Sequence, residues 1–150
     1  MSNNEEFFKM EIVRCNERDY ATLAGIWERS VRATHGFLKQ EHFDGIKDAL
    51  IPLYFPSVEL YAVVDQERYA GFIGLHGEMI EMLFIDSDLR GCGYGSALMD
   101  FAMRRGATKV DVNEQNPSAL SFYKAKGFRV VARDEKDAAG LPYPILHLSL

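Results

Sequence analysis

"FIDSDLRGCGYGSALMDFAMRRG", residues 84–106, is the stretch on which the reading of this chain turns. An apolar run leads through Arg90 into glycines at alternate positions, Gly91, Gly93 and Gly95. The pattern then becomes helical. Tyr94, Ala97, Leu98, Phe101 and Ala102 share one stripe, and Gly106 stands where the helix should stop. Glycines between a strand and a helix make a cradle for phosphate, because backbone N–H groups can approach an anion where no side chain intervenes. The helix N-terminus adds partial positive charge. The spacing G-x-G-x-G is not the dinucleotide fingerprint G-x-G-x-x-G, and no lysine follows Gly95 as a nucleotide P-loop requires. Arg90, Gly93 and Gly95 fit R-x-x-G-x-G instead. A tight turn with no ligand remains the plain alternative for this loop taken alone.

Upstream, residues 10–15 read as a first strand. Residues 16–34 read as a helix with Leu23, Ile26, Trp27 and Val31 on one face and Asn16 or Asp19 as its cap. A second helix is expected over about 39–51, broken by Pro52 and Pro56. Residues 58–86 predict three antiparallel strands, with turns near Gln66–Glu67 and His76–Gly77. Downstream, residues 108–113 form a short strand. A compact helix follows, with Asn116 as N-cap, Pro117 at its first position and Gly127 past its end. Residues 128–134 and 142–150 predict a closing hairpin. The order of elements gives an α/β (α+β) class around a mixed sheet in a single domain over residues 1–150, with residues 1–8 expected to be disordered.

Composition narrows the function classes. The chain is 47% hydrophobic and 26% charged, ordinary for a globular protein. Its opening has neither a basic start nor a long apolar run, so no signal peptide is expected. No segment reaches the roughly 20 apolar residues of a membrane span. Cys15 and Cys92 are far apart and read as free thiols in a reducing cytoplasm. A net charge of −5 argues against nucleic-acid binding. Charge is unevenly spread: residues 90–133 hold eight Lys/Arg and three Asp/Glu, whereas the remainder holds nine basic and nineteen acidic residues. A basic segment in an acidic protein suits an anionic ligand on one side and a cationic one on the other. No H-x-H, C-x-x-C or H-E-x-x-H motif is present, so no metal is expected.

The glycine loop is joined by a second motif, "NEQNPSALSFYKAKGF", residues 113–128. R-x-x-G-x-G followed at this distance by N-x-x-A-x-x-F-Y-x-x-x-G-F resembles the GNAT superfamily of N-acetyltransferases, in particular a small bacterial branch of it. The likeness covers about residues 10–150 in element order and is strongest over 82–128. It implies a single-domain GNAT fold: a twisted mixed sheet of about seven strands with four helices, splayed at the strands around 79–86 and 108–113. It implies acetyl transfer from acetyl-coenzyme A, as co-substrate, to a small-molecule or peptide amine by direct attack in a ternary complex. A non-catalytic acyl-coenzyme A binder or sensor is the alternative. A homodimer is compatible with the family's habits.

By resemblance, the pyrophosphate of the donor falls to Arg90, Gly91, Cys92, Gly93, Tyr94, Gly95 and Ser96, and the pantetheine arm pairs with Leu83, Phe84 and Ile85 on a bulged, splayed strand. A backbone N–H there would stabilise the oxyanion, worth about 3 kcal/mol in comparable sites. Tyr123 matches the general acid. A phenol of pKa about 10 is protonated at neutral pH and can serve a thiolate leaving group of pKa about 8.5. Asn116 is read both as a pantetheine ligand and as a plain helix cap. The base is expected among Asp111, Glu81 and Glu78, with His76 as an outsider. Trp27, His35, Phe37 and Tyr143 are candidates for the acceptor pocket.

Overall fold

The computed structural model describes residues 10–150, so the disorder expected of residues 1–8 lies outside the described residues. Seven strands form one sheet: β1 (Glu11–Arg14), β2 (Glu59–Asp65), β3 (Arg68–His76), β4 (Met79–Ile85), β5 (Lys109–Asn113), β6 (Arg129–Asp134) and β7 (Ile145–Ser149). Their spatial order is β1-β2-β3-β4-β5-β7-β6. Every neighbouring pair is antiparallel except β4 and β5.

The apolar patterning explains the layers. Successive side chains of a strand point to opposite faces. On β2, Tyr61 and Val63 join one core, while Leu60, Ala62 and Val64 join the other. Helices α1 (Tyr20–Thr34) and α2 (Gln40–Ala49) cover the second core through Leu23, Ile26, Trp27 and Phe43. Helices α3 (Tyr94–Arg104) and α4 (Pro117–Ala125) cover the first through Leu98, Met99, Ala102 and Tyr123. Burial on both faces is why β2 and β3 read as near-continuous apolar runs.

Most boundaries fall within a residue or two of expectation, and three departures are physical. Asn16 and Asp19 do form a capping box, but around a 3-10 turn over Glu17–Asp19, so the α-helix starts at Tyr20. The second α-helix ends at Ala49, ahead of Pro52 as expected, but the chain does not straighten there. The chain widens into a π-helical turn over Leu50–Tyr54, in which Phe55 N–H bonds the Leu50 carbonyl. That i→i+5 pattern tolerates the donor proline lacks, and it buries Leu50 and Phe55. The last strand begins at Ile145 rather than 142, because Pro142 and Pro144 cannot donate to a ladder. Tyr143 turns inward there and is buried.

The sheet opens where function is expected. β4 and β5 pair only at Met79–Lys109 and Ile80–Val110. On the other edge of β4, the register with β3 slips between Gly74 and Leu75, leaving Glu81 as a bulge. A bulge turns a strand and ends its pairing. From Glu81 onward β4 therefore has one free edge.

Candidate active site

The free edge of β4 presents specific groups. Asp86 N–H donates to the Ala70 carbonyl at 2.9 Å, and the register pairs Phe84 with Phe72 and Ile85 with Gly71. In an antiparallel ladder, alternate residues turn both N–H and C=O to the same neighbour. Phe84 thus faces β3, and the N–H and C=O of Leu83 and Ile85 face the gap toward β5. Gly71 makes this possible, because a Cβ there would collide with the Ile85 side chain and the Phe84 carbonyl.

Beyond β4, the chain is anchored before it reaches the glycines. The Asp86 carboxylate is almost fully buried. It receives a two-pronged pair from Arg29 of α1, with both contacts at 2.9 Å, and caps Ser87 N–H at 2.9 Å. The Arg29 hydrogen bond, more than any other group, holds its carboxyl below the usual range. Sequence reasoning missed this pair, since a buried aspartate 57 positions from its arginine leaves no local pattern.

The loop then delivers backbone to the start of α3. Gly91 and Gly93 have φ of +77° and +88°, a region costly to other residues. Gly95 differs. It is helical, and an added Cβ would make ordinary contacts with Ile85 and Phe122 at 3.7 Å, so neither a turn nor a clash demands glycine there. Tyr94 donates its hydroxyl to Asp65 at 2.7 Å, which pushes the phenol up to about 12. Ser96 Oγ accepts from Lys126 at 2.5 Å.

These parts enclose a cleft of about 390 Å³ whose walls include Leu83, Phe84, Ile85, Arg90, Gly93 and Tyr123. Gly91, Tyr94, Gly95, Ser96 and Asn116 also line it, whereas Cys92 is exposed and does not. Asn116 Oδ1 accepts from Ala119 N–H at 3.3 Å, so it caps α4 and faces the cleft at once. Tyr123 is buried, and burial alone raises its phenol well above the usual value.

A second cavity of about 360 Å³ gathers Trp27, His35, Phe37 and Tyr143, the four residues expected at an acceptor pocket, together with Glu81. Tyr143 fastens its far wall: its hydroxyl accepts from Lys39 N–H at 3.1 Å and shares a 2.5 Å hydrogen bond with His42 Nδ1. A narrow wedge of about 200 Å³ between β4 and β5 lies against both spaces, bordered by Glu81, Asp111, Asn116 and Tyr123.

The four candidate bases separate. Glu81 lines the second cavity and the wedge. Asp111 borders the wedge but is bound to His147 Nδ1 at 2.7 Å, and His147 Nε2 reaches Asp134 at 2.7 Å. Glu78 is held by the Thr108 hydroxyl, and neither it nor His76 lines these three spaces. Among the described residues, no group of three or more His, Cys, Asp or Glu is arranged to hold a metal, and no helix is long and apolar enough to cross a membrane.

Known proteins match this architecture. A family model described as an acetyltransferase (GNAT) domain matches residues 39–147. The chain is 40% identical over 142 residues to the peptidyl-lysine N-acetyltransferase YjaB of Escherichia coli (strain K12), spanning 93% of this chain and 96% of that protein. It is 24% identical over 119 residues to the peptidyl-lysine N-acetyltransferase YiaC of the same organism, spanning 78% and 82%. The solution structure of apo-form YjaB from Escherichia coli shares the fold with a TM-score of 0.86 at 39% identity, covering 93% and 96%. A PaiA N-acetyltransferase from Thermoplasma acidophilum, in complex with coenzyme A, shares it with a TM-score of 0.68 at 18% identity, covering 94% and 99%. Free-edged strand, glycine loop, domain match and near relatives agree, and the chain belongs to the GNAT family of N-acetyltransferases.

Proposed function

We propose that the cleft seats acetyl-coenzyme A and that the acceptor is the side-chain amine of a peptidyl lysine, entering through the aromatic cavity. The observation that carries the donor site is the free edge of β4. Leu83 and Ile85 offer unpaired backbone N–H and C=O groups along a gap that starts at the glycine loop and ends at Tyr123. A pantetheine arm carries two amides and matches such an edge as an added strand would. The phosphates would lie against the Arg90–Ser96 backbone, where the α3 N-terminus faces the cleft.

Tyr123 serves as the acid for the leaving thiolate. Its raised phenol stays protonated across the neutral range, and it borders both the cleft and the wedge. A Leu83 or Ile85 N–H stabilises the oxyanion that develops as the amine adds to the thioester carbonyl. The lysine acceptor is supported by the names of two relatives, by the acidic bulk of the chain outside residues 90–133, and by an apolar cavity suited to a long aliphatic stem. The exposed Cys92 thiol fits a reducing cytoplasm.

Tyr123→Phe tests this reading against a binding protein without turnover. Acetyl-coenzyme A affinity by calorimetry should hold within about twofold, while thiol release with a lysine peptide falls roughly 10²-fold or more. Wild-type protein that binds the donor and releases no thiol with any amine would instead identify a sensor.

A further inference from the structure

Two side chains, His35 and Phe84, border all three spaces described above: the donor cleft, the acceptor cavity and the wedge between β4 and β5. Of these, only His35 can carry a proton. Its backbone N–H bonds the Val31 carbonyl and closes α1, so the ring is fixed at a helix end and not on a loose loop.

The hydrogen bonds of the ring decide which nitrogen is available. Thr34 Oγ1 lies 2.8 Å from the Ser30 carbonyl oxygen, which can only accept, so the single hydroxyl proton points there. The same Oγ1 lies 2.7 Å from His35 Nδ1. With its proton committed, the hydroxyl oxygen must accept at that contact. Nδ1 therefore carries the hydrogen, and Nε2 keeps a free lone pair. Burial lowers the imidazole from its usual 6.5, with no charged neighbour contributing, so the ring is neutral at physiological pH.

We propose that His35 Nε2 is the general base of acetyl transfer, taking the proton from the attacking amine where the acceptor cavity opens onto the wedge. The assignment rests on the transfer reading given above. The carboxylate rivals are less well placed. Asp111 is engaged by His147, and Glu81 is exposed and does not border the donor cleft.

The proton balance closes. The acceptor reaches the cavity as an ammonium or an amine. An ammonium first gives one proton to bulk water, because a nitrogen without a lone pair cannot attack; as the amine nitrogen then bonds to the acetyl carbon, it becomes acidic enough for a neutral imidazole to accept its second proton. The carbon–sulfur bond then breaks, the thiolate takes the Tyr123 proton, and the phenolate is restored from the imidazolium or from solvent. An ammonium acceptor thus yields amide, thiol and one proton to bulk water. The free amine yields amide and thiol alone.

The test is steady-state kinetics of wild type and His35→Gln on a lysine peptide from about pH 5 to about pH 9, with donor affinity measured alongside. The other titratable or charged groups facing the same spaces are Glu81, Asp111, Asp137, Arg90, Tyr54, Tyr94, Tyr123 and Tyr143, so Glu81→Gln runs in parallel. Expected for His35→Gln is a kcat roughly 10²–10⁴-fold lower, unchanged acetyl-coenzyme A affinity, and loss of the acidic limb of kcat that wild type and Glu81→Gln both show. Free imidazole should partly restore His35→Ala, which a purely structural role would not allow. A His35→Gln kcat within about threefold of wild type, or an acidic limb that survives in it and vanishes in Glu81→Gln, overturns the assignment and leaves acetyl transfer standing. Wild type that transfers no acetyl group to any peptide overturns both. A melting curve unchanged in His35→Gln separates lost chemistry from lost fold.

Discussion

At the residue scale, the three glycines of the loop do different work. Gly91 and Gly93 are required by backbone conformation, whereas Gly95 lines the cleft in a helical conformation that any residue adopts. Gly95→Ala should therefore fold normally and melt no lower than wild type, since alanine favours helix by up to about 1 kcal/mol over glycine. A methyl group projecting from the cleft wall should still weaken coenzyme A binding by about tenfold, or roughly 1.4 kcal/mol, read by calorimetry. Gly93→Ala should lose both, because a side chain at φ of +88° costs about 1 kcal/mol of stability before any ligand is added. The sequence displays the glycines but cannot separate these roles, which depend on backbone angles and on which atoms stand opposite. Tyr123 and Asn116 are legible through their motif. His35 is visible only as a pocket candidate, because the Thr34 and Ser30 contacts that set its tautomer belong to the folded turn.

At the element scale, the placement of β4 is the central feature. Its bulge at Glu81 and its early parting from β5 create the gap, and Asp86 pins its far end to α1. The Asp86 carboxyl sits below its usual range in the fold, so its contribution is present above the unfolded value of about 3.9 and is lost as pH falls through the folded value. Asp86→Asn should lower the melting temperature at pH near 7 and shrink the further drop on acidifying below about pH 4. An equal acid drop in both proteins would move that sensitivity elsewhere. His147 runs the opposite way. Asp134 and then Asp111 raise it, so what it adds across β5, β7 and β6 is full below about 6.5 and fades as pH rises through the folded value. Strand and helix identities were legible because their apolar periods are clean. Pro52 marks the end of the α-helix but not the π-helical turn that holds it, and the Pro142–Tyr143–Pro144 run misleads, because proline predicts only where a ladder or helix loses a donor. It does not reveal that Leu50, Phe55 and Tyr143 gain burial in return.

At the scale of the whole molecule, two apolar cores on opposite faces hold one sheet, and the candidate donor and acceptor spaces lie where that sheet parts. Phe55 is fully buried and meets Phe72 edge-on, with ring centroids 5.7 Å apart. Phe55→Ala should cost about 3–5 kcal/mol by denaturant melting. The charge asymmetry seen along the sequence fits a donor loop on the basic segment and an acceptor side drawn from the acidic remainder. The splay itself came from family resemblance, since no composition or spacing along β4 announces that β5 will leave it after Ile80. The most direct test of the donor site is a backbone amide NMR titration with coenzyme A. The largest shifts should fall on Leu83, Ile85 and the amides from Gly91 to Ser96, with β1 and β6 unmoved. Shifts confined to another surface, or none at saturating coenzyme A, would contradict the account.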